Sequence, residues 1–271
     1  MLRYRLRMFL ASWWFASVAA WFTGHRRRIR SNLKRIHPDW TPRKRYNAER
    51  RIANNIGRTY AEFVFIRGFH ARVAESSELK GPGVAAMKKA QADGRSCIFA
   101  TAHFANYLAC VRALTENGIP AGILYRQIGT RALDYLFDRV MNSFDQKLFK
   151  IGRRQDRSYQ RNLYNLARHV KGGGHVGLLL DQRVDSGAQL RFFGQPAWTA
   201  LSIAEMAIKF NAVLIPSYAL RQPDGVHFRF YLQEPIANTE PVGMMQEFND
   251  RAEAWIRAHP EQWFWNIRRW D

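Results

Sequence analysis

A chain of 271 residues, 47% hydrophobic and 14% aromatic, is long enough for a sizeable core and too apolar for a disordered polymer. Its 42 Lys and Arg against 22 Asp and Glu leave a formal charge of +20, which asks for an anionic partner: nucleic acid, anionic lipid, or an acidic or phosphorylated carrier protein. Two cysteines, Cys97 and Cys110, both in apolar surroundings, exclude a disulfide framework and a cysteine metal site and suit a reducing compartment.

The first 25 residues hold an uncharged run, Met8 to Gly24, between Arg7 and the cluster Arg26, Arg27, Arg28 and Arg30. As a helix, that run of seventeen residues spans about 25 Å, just short of the ~30 Å hydrocarbon core. Trp13, Trp14 and Trp21 suit the membrane interface better than the bilayer centre. The flanking arginines suit anionic headgroups. Residues 1–25 are therefore expected to anchor the chain, spanning a membrane or lying in its interface. A cleaved signal peptide is opposed by the arginines immediately downstream. A buried amphipathic helix is the third reading.

Residues 26–80 read as a basic helical segment. Thr41-Pro42 is a helix start signal, and Ile52, Ile56, Tyr60 and Phe63 recur at helical spacing. From 81 to 271 strands and helices alternate. The text predicts a strand at 96–103 (SCIFATAH), a helix at 106–118, a strand at 121–126 (AGILYR), and helices at 132–144 and 159–174. A strand at 175–182 (HVGLLLDQ), another at LRFFG, a helix at 200–211, strands at 212–221 and 227–236, and a closing helix through 244–258 follow. This is an α/β domain with a mostly parallel central sheet flanked by helices, preceded by an N-terminal hydrophobic helix.

Sites in such sheets gather at the carboxyl ends of strands. Three polar groups fall there: His103, Tyr125-Arg126, and Asp181-Gln182-Arg183. His103 reads as a catalytic base or as a core histidine with a hydrogen bond. Arg126 reads as a bidentate anion clamp or as the partner of Asp134 or Asp138. Asp181 reads as the orienter of a base or as a turn cap. The glycines of KGGGHVG follow a helix and match no phosphate loop, so they read as a C-cap and tight turn.

The order His103-Phe104, Tyr125-Arg126, Asp181-Gln182, Phe192-Phe193-Gly194 with Thr199 soon after, Ile215-Pro216, and the closing PEQWFWNIRRW from Pro260 to Trp270 resembles the lauroyl/myristoyl (late) acyltransferases of lipid A, within the lysophospholipid acyltransferase superfamily. The resemblance covers nearly the whole chain. It implies a glycerolphosphate-acyltransferase-like fold and a membrane-bound enzyme. Such an enzyme moves a fatty acyl chain from an acyl carrier protein or acyl-CoA to a hydroxyl of a lipid A precursor or lysolipid, with no cofactor and no metal. It implies an inner (plasma) membrane location with the catalytic domain in the cytoplasm. His103 becomes the general base, and Asn106, Tyr125, Arg126, Gln182, Arg183 and Thr199 candidate substrate-binding residues.

The chain departs from the family pattern at one place. The family sets a carboxylate five positions after its histidine, with four residues between, and position 108 is leucine. Either another carboxylate supports His103, with Asp181 first and Asp185 and Glu205 behind it, or the chain is a diverged relative that binds lipid or carrier without turnover. Asn106 and Tyr107 are candidate donors to an acyl oxyanion, though capping explains Asn106 as well. Nucleic-acid binding rests on charge alone, with no recognition module to support it, and no nucleic-acid partner is expected.

Overall fold

The computed structural model describes residues 2–19, 24–126, 131–151 and 157–270. In chain order its strands are β1 (Leu79–Lys80), β2 (Cys97–Thr101), β3 (Ala121–Arg126), β4 (Leu148–Ile151), β5 (His175–Leu179), β6 (Ala188–Phe192), β7 (Gln195–Thr199), β8 (Val213–Arg221) and β9 (Phe228–Leu232). Its α-helices are α1 (Leu2–Trp14), α2 (His25–Ile36), α3 (Pro42–Val64), α4 (Ile66–Ala74), α5 (Gly83–Ala92), α6 (Leu108–Glu116), α7 (Arg131–Asn142), α8 (Arg157–Lys171), α9 (Ser202–Phe210) and α10 (Pro241–Ala258).

Every residue of β2 is buried, the mark of a strand covered on both faces. It lies at the centre of a seven-stranded sheet in the order β1-β9-β8-β2-β5-β3-β4. All pairs are parallel except β8 with β9. From β2 the chain runs outward to β3 and β4, returns to β5 beside β2, and then crosses to β8 on the other flank. The carboxyl ends of β2 and β5 thus lie side by side.

The helix start at Thr41 forms as expected, its hydroxyl accepting from the Lys44 amide at 3.2 Å. The expected single strand LRFFG is instead one arm of a hairpin. β6 and β7 pair with Phe192 opposite Gln195, and the two loop residues, Phe193 and Gly194, both take positive φ (54° and 69°), the tight turn whose twist suits a hairpin. β1, β4 and α5 were not expected, being too short or too mixed in pattern to show a period.

The spanning form of the N-terminal helix is not found. No helix among the described residues is long and apolar enough to cross a membrane. Helix α1 stops at Trp14 and passes into a π-helical turn, Phe15–Ala19, and residues 20–23 lie outside the described residues. The reason is packing: Met8 and Ser12 are fully buried, with Met8 against Ala61 and Val226. Gly57 of α3 allows this approach, since a Cβ there would stand 2.6 Å from the Ser12 carbonyl oxygen. The opposite face leaves Leu6, Phe9, Leu10, Trp13 and Trp14 half exposed or more.

Helix α4 packs on α6, the helix that follows His103. Next to this seam, Ser143 donates its proton to the Val140 carbonyl at 2.6 Å, so it accepts from His70 Nε2 at 2.9 Å. His70 Nδ1 is then a bare, buried lone pair. Burial, helped by Arg112, pushes the His70 pKa from 6.5 down to about 4. The unfolded ring takes up its proton near 6.5 and the folded ring resists until about 4. Stability should therefore fall as pH drops through that window. Denaturation midpoints of wild type and His70→Phe, followed from pH 7 to pH 4, should converge as the acid side is reached, because the variant lacks this slope; parallel curves would contradict it.

Candidate active site

Beyond Thr101 the chain leaves β2 and turns through Ala102 to Tyr107 before α6 begins. The turn needs Ala105 in the left-handed region, φ 48°, which is unfavourable for a residue with a Cβ and persists only when neighbours enforce it. They do so from both sides. The Ala105 amide donates to the Gln262 carbonyl at 2.7 Å, and the Phe264 amide donates to the His103 carbonyl at 2.9 Å. Thr59 of α3 donates to the Ala105 carbonyl at 3.0 Å. The Asn106 amide donates to Glu62 at 2.9 Å, while its oxygen accepts from the Leu108 amide at 3.0 Å. Glu62 is itself gripped by both arms of Arg221, and the pair is buried.

Asp181 stands two residues past β5. Thr101 pairs with Leu179 across the adjacent strands, and the Leu180 amide donates to the Thr101 carbonyl at 2.9 Å. The register sets the Asp181 carboxylate under the His103 turn. Its Oδ1 accepts from His103 Nδ1 at 2.8 Å, and its Oδ2 accepts from the His103 amide and from Trp263 Nε1, each at 2.8 Å. Asp181 is 1% exposed and the His103 ring 12%. Burial pushes the carboxyl pKa up, but the charge and hydrogen bonds of His103 together with the Trp263 indole outweigh it and hold the pKa below the usual carboxylate range. With Nδ1–H bound to Asp181, the neutral ring presents the lone pair of Nε2 outward, where the Gln182 amide lies 3.4 Å away. An imidazole held at Nδ1 by a carboxylate can accept a proton at Nε2.

Of the residues read from the sequence, His103, Asp181 and Gln182 come together. Tyr125 and Arg126 end β3, the next strand beyond β5 at the same sheet edge. The Tyr125 hydroxyl donates to Asp138 at 3.0 Å, and Lys150 donates to the same carboxylate at 2.6 Å. Arg126 is exposed. Arg183 pairs with Asp185. Glu205 is exposed in the first turn of α9. Thr199 is fully buried, its hydroxyl donating to the Ala197 carbonyl and accepting from Arg269 and Asn249. The amide of Asn106, likewise buried, is engaged with Glu62 and Leu108. Leu108 packs in the core at 4% exposure. No group of three or more His, Cys, Asp or Glu could hold a metal ion among the described residues.

Trp263, Phe264 and Glu62 were not read as site residues. A buried indole N–H nearly always finds an acceptor, which was the available signal for Trp263. Asn55, Thr59 and Glu62, polar at helical spacing beside the apolar Ile56 and Phe63, were the signal for the layer beneath the turn. The Phe192-Phe193-Gly194 stretch and the closing PEQWFWNIRRW prove to be one aromatic cluster. Phe192 and Phe193 of the hairpin pack on Trp263 and Trp270, and Trp265 packs on Trp263. Arg269 ties the same segment to Thr199, Asn249 and the Trp198 carbonyl.

The model of the bacterial lipid A biosynthesis acyltransferase family matches residues 5–271, and the chain belongs to that family. No curated protein matches the chain.

Trp263→Phe keeps most of the ring packing and removes one donor from a buried carboxylate. It should cost about 1.5–3 kcal/mol of stability and raise the Asp181 pKa. Chemical denaturation measures the first effect and carboxyl NMR titration the second. An unchanged midpoint would show that the indole bond contributes nothing.

Proposed function

From membership of this family, we propose that the chain is an O-acyltransferase that moves a fatty acyl group from an acyl carrier protein or acyl-CoA thioester to a hydroxyl of a lipid A precursor or lysolipid. The observation that carries the reading is the 2.8 Å bond between His103 Nδ1 and Asp181 Oδ1, which leaves Nε2 free to take a proton. His103 Nε2 removes the acceptor hydroxyl proton as that oxygen attacks the thioester carbonyl. Asp181 holds the ring and stabilises the imidazolium. When the tetrahedral adduct collapses, the carbon–sulfur bond breaks, the new ester remains, and the imidazolium returns its proton to the leaving thiolate.

Tyr107 supports the same reading. Its ring meets His103 edge to face at 5.0 Å, and burial pushes its phenol pKa up, so the hydroxyl stays a donor suited to a developing oxyanion. The Gln182 amide is a second donor beside Nε2. Arg126 and Arg183 are cations suited to an anionic acceptor or carrier. The +20 charge suits both an anionic membrane and an acidic carrier. A non-catalytic relative is favoured only by Leu108, and Asp181 supplies the carboxylate that position 108 lacks.

Membrane association is part of the proposal, through α1. Its face of Leu6, Phe9, Leu10, Trp13 and Trp14, flanked by Arg5 and Arg7, suits a helix lying in the headgroup region of the inner membrane with the catalytic domain on the cytoplasmic side.

His103→Ala and Asp181→Asn should each lower kcat by about 10⁴-fold with both thioester donors, in protein that remains folded by circular dichroism. Leu108→Glu should not raise the rate, because Nδ1 is already bound, and should lower the melting temperature by burying a charge in the core. Full activity in Asp181→Asn would remove it from the mechanism. No turnover in wild type with either donor would favour the non-catalytic relative.

Phe9→Ser/Leu10→Ser/Trp13→Ser should lower the fraction of protein that floats with phosphatidylglycerol-containing vesicles while leaving the melting temperature nearly unchanged, since these side chains face outward. Equal flotation would rule out α1 as the docking element.

A further inference from the structure

On the far side of the Gln262 segment from the His103 turn, a cleft of about 860 Å³ opens between α3, the turn after β8, and residues 259–262. Arg51, Asn54 and Arg58 line its α3 wall, three and four residues apart and so on one face of the helix, with Arg50 beside them. Asn55 and Arg221 line its floor, where Arg221 is neutralised by Glu62. At the mouth, Glu261 meets Arg51 at 3.5 Å, a pair whose arginine side chain is 70% exposed. Arg58 meets no carboxylate within 4.0 Å among the described residues; it donates to Asn54 at 2.9 Å and to the Gly225 carbonyl at 3.1 Å. Burial lowers the Arg58 pKa and the charge of Arg221 lowers it further, with Glu62 and Asp224 opposing only in part. The cleft gathers more positive charge in partly desolvated space than its own carboxylates answer.

We infer that this cleft binds a phosphate monoester, at a site separate from the His103–Asp181 pair. The wall offers guanidinium forks and asparagine amides, donors that together suit a dianion with three equivalent oxygens better than a single carboxylate. The cleft has room for the esterified group beside the phosphate. Two sources share this chemistry: a soluble phosphate ester, or a lipid headgroup. Helix α1 reaches the edge of the cleft, since Arg5 binds Asp224 at 3.2 Å next to Gly225 of the cleft wall, so the element proposed to dock on a bilayer and the cleft are neighbours.

The test uses the full chain in neutral detergent, titrated with glycerol 3-phosphate by calorimetry. A parallel flotation assay uses phosphatidylcholine vesicles with and without phosphatidic acid. Arg50→Gln/Arg58→Gln should weaken binding by about tenfold or more, two charge-assisted contacts being lost. Arg50→Gln/Arg51→Gln, confined to exposed positions, should do so without risk to folding. Arg43→Gln/Arg67→Gln, the same charge removed outside the cleft, and His103→Ala should bind as wild type does. Loss in the calorimetric arm assigns a soluble ester, and loss only in the phosphatidic acid arm assigns a headgroup. Binding that falls equally in the outside control, that survives both cleft variants, or that is absent from wild type in both arms overturns the site. Acyl transfer by wild type alongside any of these results leaves the His103 reading standing.

Discussion

A carboxylate that water cannot reach must find its hydrogen bonds in the protein or lose its charge. Asp181 meets that condition through three donors, the amide and imidazole of His103 and the indole of Trp263. Each donor imposes a demand on the fold. The two from His103 require β2 and β5 to be neighbours in register, so that one strand end overlies the other. The indole requires the segment after α10 to return across the sheet edge. That segment in turn is fixed by its aromatic cluster with the β6–β7 hairpin and by the bonds of Arg269.

The fold class was legible because its signals are local. Buried runs such as Cys97–Thr101 and the helical spacing of Ile52, Ile56, Tyr60 and Phe63 report their own conformation. That His103 and Asp181 share a sheet edge was also readable, since both follow strands of one parallel sheet. Their direct contact stood as the first of three alternatives, ahead of Asp185 and Glu205, and could not be fixed because strand order is a property of packing: β5 inserts between β2 and β3, and Arg126 is carried one strand further out. The Trp263–Asp181 bond spans 82 residues of sequence, and no local pattern announces it. The N-terminal run was misread as a possible span for a similar reason. Composition showed its apolar character, but only the groove at Gly57 shows that one side is consumed by α3.

Leu108 looked like a defect in the sequence because spacing along a chain stands in for proximity. An imidazole responds to a carboxylate at its Nδ1, whichever element supplies it. Here the neighbouring strand does so, and the first turn of α6 is released to pack as core. The buried Glu62–Arg221 pair under the turn has a different task. It holds Asn106, whose side-chain oxygen accepts the Leu108 amide at the start of α6, and removal of either charged partner would leave the other buried and uncompensated.

The segment that completes the carboxylate's coordination follows all nine strands of the described residues. A ribosome therefore delivers His103 and Asp181 long before it delivers Trp263, and during elongation the carboxylate waits without its third donor and the His103 turn without its antiparallel neighbour. The His103–Asp181 pair gains its third hydrogen-bond donor only when the tryptophan-rich segment docks, late in biosynthesis. Until then Phe192 and Phe193 of the hairpin lack their covering, a stretch of apolar surface exposed on the nascent chain for as long as the remaining helix and its successor take to be made.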